Sequence, residues 1–380
     1  MSETSSEDRD ALGKAAKRFL ATHASSAKVR AAMVTDRGWD PAVWAQMTTE
    51  LGWAALAIPE AYGGAGGGAE ALGALFEEMG RHVACAPLFS TVCLGAAAIL
   101  ECGDDAQRSA LLPAIAEKGE TATLAITERG AAWDPSDVTA IAARADGGWT
   151  LRGVKRYVVD GHTAEHVVVV AREEGSSGES GIGLFVVPGA ARGLDRRAVG
   201  TMDKTRRLAE LTLRDVHVAS SARLAQSEWR AVERVLHRAC AALSAEQVGG
   251  ASRCLEMAVD YAKVRTQFNR PIGSFQAIKH KCADMLVSVE CARSASLNAS
   301  RVAASESTDD ELAIAASMAK AFCSEAYLHC AGETIQVHGG IGFSWDHDAH
   351  LFFTRAKSSA QLLGAPSVHR DGIARRVGLT

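Results

Sequence analysis

The spacing of apolar residues along the chain changes twice. Up to about residue 120 they recur at helical intervals, interrupted by short breakers. From about 121 to 219 the period falls to two and β-branched residues accumulate. Trp149 to Val159, His166 to Ala171, Ile182 to Val187 and Leu208 to Val218 read as strands, with Glu173 to Gly181 as a polar loop. After about 221 helical spacing returns and lasts nearly to the end. The pattern predicts an α+β chain, mainly α: an N-terminal helical domain (1–120), a middle β-domain (121–220) and a C-terminal helical domain (221–380).

Two local signals sharpen the first zone. Asp40 before Pro41 reads as an N-cap followed by a proline at the first helical position. The run Gly63-Gly64-Ala65-Gly66-Gly67-Gly68 precedes a helical stretch from Ala69 to Arg81. No strand leads into it and no lysine follows in the P-loop position, so it reads as a connection and not as a phosphate cradle.

In the last zone Val232, Leu236, Ala239, Leu243, Gly250, Cys254, Met257 and Tyr261 trace one face of a helix. Glu246 falls on that stripe, in the gap between Leu243 and Gly250. A carboxylate on a buried stripe is either a candidate general base or half of a buried pair with a neighbouring Arg or His. The spacing leaves both open.

Composition narrows the class. The 380 residues carry a formal net charge of -4, without the basic excess of a nucleic-acid binder. The longest apolar runs, such as Val167 to Ala171, are too short to span a bilayer. The acidic opening MSETSSEDRD is unlike a secretory signal. The nine cysteines show no metal-ligand spacing and read as reduced, mostly buried side chains. The expectation is a cytoplasmic enzyme without metal, nucleic-acid or membrane partners.

Tyr261-Ala-Lys-Val-Arg-Thr-Gln-Phe-Asn-Arg-Pro-Ile-Gly273 resembles a signature of the acyl-CoA dehydrogenase family, and Ser274 to His280 continues it. Gln336-Val-His-Gly-Gly-Ile-Gly-Phe343 resembles the family's second signature. Ile58-Pro59-Glu60 and Ala125-Ile126-Thr127-Glu128 match weaker landmarks in the same order. The resemblance implies an N-terminal helical domain, a middle β-domain and a C-terminal four-helix bundle. It also implies FAD held partly across a subunit interface. Arg265, Gln267 and Phe268 would contact its pyrophosphate and adenine side, with Gln336, Gly339 and Gly340 doing so from the neighbouring chain. Thr127 would lie near the flavin pyrimidine ring. An acyl-CoA substrate, an electron-transfer flavoprotein and a homotetramer or α2β2 heterotetramer follow from the same resemblance.

The departures from the family pattern concern the base and the flavin surroundings. One family position for the catalytic glutamate is occupied here by Leu363, and another by Ala239. Glu246 lies two turns beyond Ala239 on the same helical face, with about 20° of drift. The segment Ala245 to Gly250 resembles actinobacterial enzymes of steroid side chains, in which a glutamate here serves as the base. Ala132-Trp133-Asp134 replaces a Gly-Ser-Asp. Tyr157-Val158-Val159-Asp160-Gly161 replaces a Trp-Ile-Thr-Asn-Gly and loses its threonine hydroxyl.

The resemblance therefore implies that Glu246 abstracts the pro-R Cα proton while FAD accepts the Cβ hydride. Leu363, Gly249 and Gly250 would leave room for a bulky acyl chain. Two other readings stay open: a flavin-dependent oxidase or monooxygenase on the same fold, and a non-catalytic subunit that lends Arg265 and Gln336 to another chain's flavin.

Overall fold

The computed structural model describes residues 6–130 and 134–379. The first part is helical: α1 (Ser6–His23), α2 (Ser26–Met33), α3 (Pro41–Ala45), α4 (Gly68–Arg81), α5 (Ala97–Cys102) and α6 (Asp105–Lys118). Strands follow: β1 (Ala122–Ala125), β2 (Ile141–Ala145), β3 (Gly148–Val159), β4 (His166–Glu173), β5 (Ile182–Pro188), β6 (Leu194–Val199) and β7 (Leu208–Ala219). The long helix α7 (Trp229–Val264) ends in a small hairpin, β8 (Thr266–Gln267) and β9 (Arg270–Pro271). Then come α8 (Gln276–Ala304), α9 (Asp309–His338), α10 (Asp348–Gln361) and α11 (Pro366–Arg376). The predicted α+β, mainly α class is the one observed. Ala132 and Trp133 lie outside the described residues.

The four strands read from period two are present. The structure adds β1, β2 and β6, each lacking the pattern that marks a strand. All four positions of β1 are buried, which erases the alternation. The edge strand β6 carries Asp195, Arg196 and Arg197 and is half solvated. Asp40 caps α3 as its sequence position predicts, its side chain accepting from the Ala42 N–H at 2.9 Å.

The chain falls into two compact units. One comprises residues 32–68 and 85–239 and contains the seven-stranded sheet, in the order β1-β4-β2-β3-β7-β6 with β5 on the free side of β4. β1 runs parallel to β4, and β3 antiparallel to β7. Its core is Trp149, Leu151, Val167, Val169, Phe185, Val187 and Leu211, alternate inward residues of adjacent strands. The β3–β7 ladder breaks between Lys155 and Val158. At this bulge Tyr157 takes a left-handed φ of 54° and is left exposed.

The other unit comprises residues 6–31, 69–84 and 240–379. Here α1 and α4 fold with the helices that follow residue 240, so the N-terminal helical segment is shared between the units. The middle of α7 is buried on every side: each residue from 239 to 252 is buried. The single stripe read from the sequence therefore under-describes this helix, which is a central element with neighbours all round. Close approach is made possible by glycine. A Cβ added to Gly249 would stand 1.8 Å from the Glu77 carbonyl oxygen, and one on Gly80 would stand 1.9 Å from that of Glu246. The α4 and α7 backbones thus meet directly.

That contact sets a test. Gly249→Ala cannot be absorbed by a rotamer change, because the clash is with backbone, so the helices must separate. A loss of about 1–3 kcal/mol or more is expected in chemical denaturation. An unchanged midpoint and slope would contradict this packing.

Candidate active site

Glu246 lies in the α7 segment where α4 packs through Gly80. Its side chain is 4% exposed, and Oε1 accepts from Arg355 Nη1 of α10 at 2.9 Å, with the arginine side chain 3% exposed. Of the two sequence-based possibilities, the structure contains the buried pair with an arginine. The pairing does not by itself exclude proton transfer. It does mean that protonating Glu246 would remove the counter-charge Arg355 holds at 2.9 Å in a buried site.

The former base positions contain no acid. Leu363 takes a left-handed φ of 59°, and its carbonyl oxygen faces His369 Nε2 at 2.9 Å and Cys240 Sγ at 4.0 Å. Ala239 is fully buried. Glu128, the acidic residue beside Thr127, is also committed. It accepts from Lys155 Nζ at 2.6 Å, from the N–H groups of Thr139 and Ala140, and from the Thr139 hydroxyl. Burial pushes its carboxyl up, but Lys155 and these donors outweigh that and hold it below the ordinary value. Burial drives the Lys155 amine down to about 8.

The structure corrects one expectation. Gly249 and Gly250 do not open space beside Glu246. Gly249 meets the backbone of α4, and a Cβ on Gly250 would stand 2.3 Å from the Tyr327 ring. Both glycines are filled in by their neighbours.

Arg265, Gln267 and Phe268 occupy the β8–β9 hairpin and are all exposed. Phe268 and Asn269 form its two-residue turn with φ of 52° and 60°, the combination of a type I′ turn. Phe268 is 87% exposed, and its ring meets Phe275 edge-on at 6.0 Å. Gln336, Gly339 and Gly340, at the end of α9, are exposed too. Gly339 has φ 63°, and nothing lies within 4 Å of a Cβ placed on it or on Gly340.

Both segments lie at one end of this helical unit. Tyr261 stacks on His338 at 4.3 Å, His338 meets His347 at 4.5 Å, and the Thr334 hydroxyl donates to the Cys254 carbonyl at 2.8 Å. The turn after α9 is anchored by Arg30, which donates to the carbonyls of Trp345 at 3.0 Å and Asp346 at 3.1 Å. Ile341, Phe343 and Trp345 are exposed around it. Glu246 is not part of this group: along α7 it is about 27 Å from the helix end at Val264, at 1.5 Å per residue.

Thr127 lies in the sheet unit just beyond β1, half-buried. Its carbonyl accepts from the Arg156 N–H at 2.7 Å, which sets it against the bulge that exposes Tyr157. Val159, in place of the threonine, is 2% exposed, and its carbonyl accepts from the Thr123 hydroxyl.

The exposed guanidinium and the open glycine backbone suit the diphosphate of a dinucleotide. No group of His, Cys, Asp and Glu among the described residues could hold a metal ion. No helix among them is long and apolar enough to cross a membrane. Sequence reasoning missed three residues that organise these sites. Arg355 is remote in sequence from Glu246. Arg30 reads as an ordinary helix charge. Lys320 stands alone in the apolar run Ala319-Lys320-Ala321-Phe322, and that isolation was the available signal.

Comparison with known proteins identifies the family. Three family models match in succession: the N-terminal domain of acyl-CoA dehydrogenase over residues 6–119, the middle domain over 123–216 and the C-terminal domain over 229–378. The chain is 35% identical over 363 residues to the acyl-CoA dehydrogenase IpdE2 of Mycobacterium tuberculosis, covering 96% of this chain and 95% of that one. The structure is similar to the Tcur3481-Tcur3483 steroid ACAD, with a TM-score of 0.86, 33% identity and 98% of each chain covered. It is also similar to the ChsE4-ChsE5 complex of Mycobacterium tuberculosis, with a TM-score of 0.89, 25% identity and all of both chains covered. With its helical, sheet and helical-bundle domains in this order, the chain belongs to the acyl-CoA dehydrogenase family.

Proposed function

We propose that this chain takes part in the FAD-dependent α,β-dehydrogenation of an acyl-CoA thioester to the trans-2-enoyl-CoA, in fatty-acid or sterol side-chain β-oxidation. The observation that carries the reading is the exposure of Arg265, Gln267 and Phe268 together with Gln336, Gly339 and Gly340 at one end of the helical unit. A guanidinium, an amide and bare glycine backbone left in solvent suit an anionic ligand shared with a second chain. FAD, when bound, supplies the hydride acceptor. Thr127 is proposed as a further flavin contact, and an electron-transfer flavoprotein would remove the electrons.

Glu246 is the proposed proton acceptor. It is the remaining carboxylate at a position the family pattern favours, since Leu363 and Ala239 cannot accept a proton and Glu128 is held by Lys155. Accepting the Cα proton requires Glu246 to loosen its contact with Arg355, so substrate binding would have to compete with that pair. A large acyl group is the class we favour, from the likeness to a steroid ACAD.

The Glu246–Arg355 pair favours a second reading. In it the pair is a structural strut, and this chain lends its exposed residues to a flavin whose base belongs to a partner subunit. Two of the similar structures carry the names of two proteins each, Tcur3481-Tcur3483 and ChsE4-ChsE5. An assembly of two different chains is the arrangement proposed here too.

Glu246→Gln separates the readings. Arg355 loses its counter-charge in either case, so stability should fall, by as much as about 3–5 kcal/mol for a buried pair left half-made. The melting temperature is therefore not diagnostic. The rate is: if Glu246 is the base, flavin bleaching by an acyl-CoA that reduces the wild type should slow about 10²–10⁴-fold. A folded variant that bleaches at the wild-type rate assigns the base to another chain.

Arg265 offers a separate test of the cofactor. Losing one charge-assisted contact is worth about 1.5–3 kcal/mol. Arg265→Ala should therefore weaken FAD binding by about one to two orders of magnitude, read as flavin retained after dialysis of the assembled protein. Undiminished flavin would remove Arg265 from the site.

A further inference from the structure

In the helical unit, α1, α4, α7 and α8 surround a cavity of about 430 Å³. That is within the usual size of a small-molecule site, about 300–1,000 Å³. Glu246 does not line it, because its side chain goes to Arg355 of α10. Val248 of α7, Leu297 of α8 and Ala74 of α4 give the cavity an apolar side.

Two features of the lining have no role in the packing of the chain. The first is a pair of hydroxyls. Ser296 and Ser300, one turn apart on α8, line the cavity and are each 4% exposed. Neither makes a hydrogen bond among the described residues. On the same helix Ser288 and Ser294 do otherwise, donating to the carbonyls of Asp284 and Glu290 at 2.9 and 3.0 Å. A buried hydroxyl left unpaired is unfavourable, so a pair of them turned to one cavity is a feature of that cavity. The second is Gly13, inside α1. Glycine weakens a helix interior, and Gly80 and Gly249 are tolerated in this unit because backbone presses against them. Gly13 lines the cavity, and nothing lies within 4 Å of a Cβ placed on it.

Charge narrows the ligand. The α4 acids that line the cavity face arginines: Glu70 with Arg301 at 4.0 Å, Glu77 with Arg293, and Glu78 with Arg81 at 3.7 Å. Arg9, Lys14 and Lys17 of α1 make no ion pair among the described residues, and Asp10 is the acid beside them. The charge left without a contact partner is therefore mainly positive. Ammonium, guanidinium and hydroxyl donors together suit an anionic oxygen. The apolar side suits a hydrocarbon body attached to it.

We propose that this cavity binds a small monocarboxylate with an apolar body, its oxygens taken by Ser296, Ser300 and the α1 cations and its carbon chain by Val248 and Leu297. The site lies outside the groups assigned to flavin and proton transfer, and it does not rest on the dehydrogenase reading.

Calorimetric titration of the full chain, in the assembly in which it purifies and with butyryl-CoA present throughout, tests the site with hexanoate, hexanol, acetate and inorganic phosphate. Hexanoate should bind saturably, and the other three should bind about tenfold more weakly or worse, each lacking the charge or the apolar body. Gly13→Leu fills the cavity with a better helix former. It should weaken hexanoate binding about tenfold or more while raising the melting temperature. The double variant Ser296→Ala, Ser300→Ala should also weaken hexanoate, with hexanol little changed. No saturable binding of hexanoate overturns the proposal. So does binding that both variants leave intact, which assigns the ligand to another place. Phosphate or hexanol binding as well as hexanoate overturns the ligand class. If Gly13→Leu does not fold, the double serine variant alone decides, by the same criteria.

Discussion

The direct meeting of α4 and α7 backbones at Gly80 and Gly249 is the constraint on which the helical unit depends. Side chains normally hold helix axes 8–10 Å apart, and removing a Cβ at the contact lets them approach more closely. Here glycine on each helix faces a carbonyl oxygen of the other, at Glu246 and at Glu77. The segment carrying Glu246 is consequently enclosed, and its carboxylate must find a partner inside the protein. Arg355 supplies it. The same enclosure brings Tyr327 over Gly250, so two glycines that suggest open space in the sequence are places where space is already taken.

Buried charge is handled differently at three places. Glu246 and Arg355 satisfy each other. Glu128 and Lys155 do the same in the sheet unit, with Thr139 and Ala140 adding donors. Among the described residues, Lys320 is held by three oxygens that accept its protons. Ion pairs of the first two kinds are common structural devices, and breaking one costs more than forming it gains. In the third case two of the acceptors, the carbonyls of Ala360 and Gly364, flank a leucine at positive φ.

The exposed residues follow another logic. The hairpin after α7 and the turn after α9 put a guanidinium, amides, glycine backbone and large apolar side chains into solvent together. Phe268, Phe343 and Trp345 are among the exposed apolar side chains there. Arg30 stiffens the turn by holding two carbonyls, and the Tyr261–His338–His347 stack ties it to the end of α7. These contacts join the two segments within one chain.

Much of this was legible in the sequence. Long strands announce themselves by alternation, and β3, β4, β5 and β7 did so. The Asp40 cap, the order of helical and sheet zones and the two signatures around Arg265 and Gln336 were likewise local, contiguous patterns. So was the burial of Glu246, fixed by its place on an apolar helix. Strands without alternation escaped: β1 is buried on both faces, and β6 is a polar edge. The partners escaped as well. Arg355 comes to Glu246 from 109 residues away, and Lys320 reaches carbonyls 40 and 44 residues on. Periodicity reports which face of an element is apolar, because that property belongs to the element alone. Which charge meets which, and whether a glycine is a gap or a contact, depends on the packing of segments distant in sequence, and only the tertiary structure decides it.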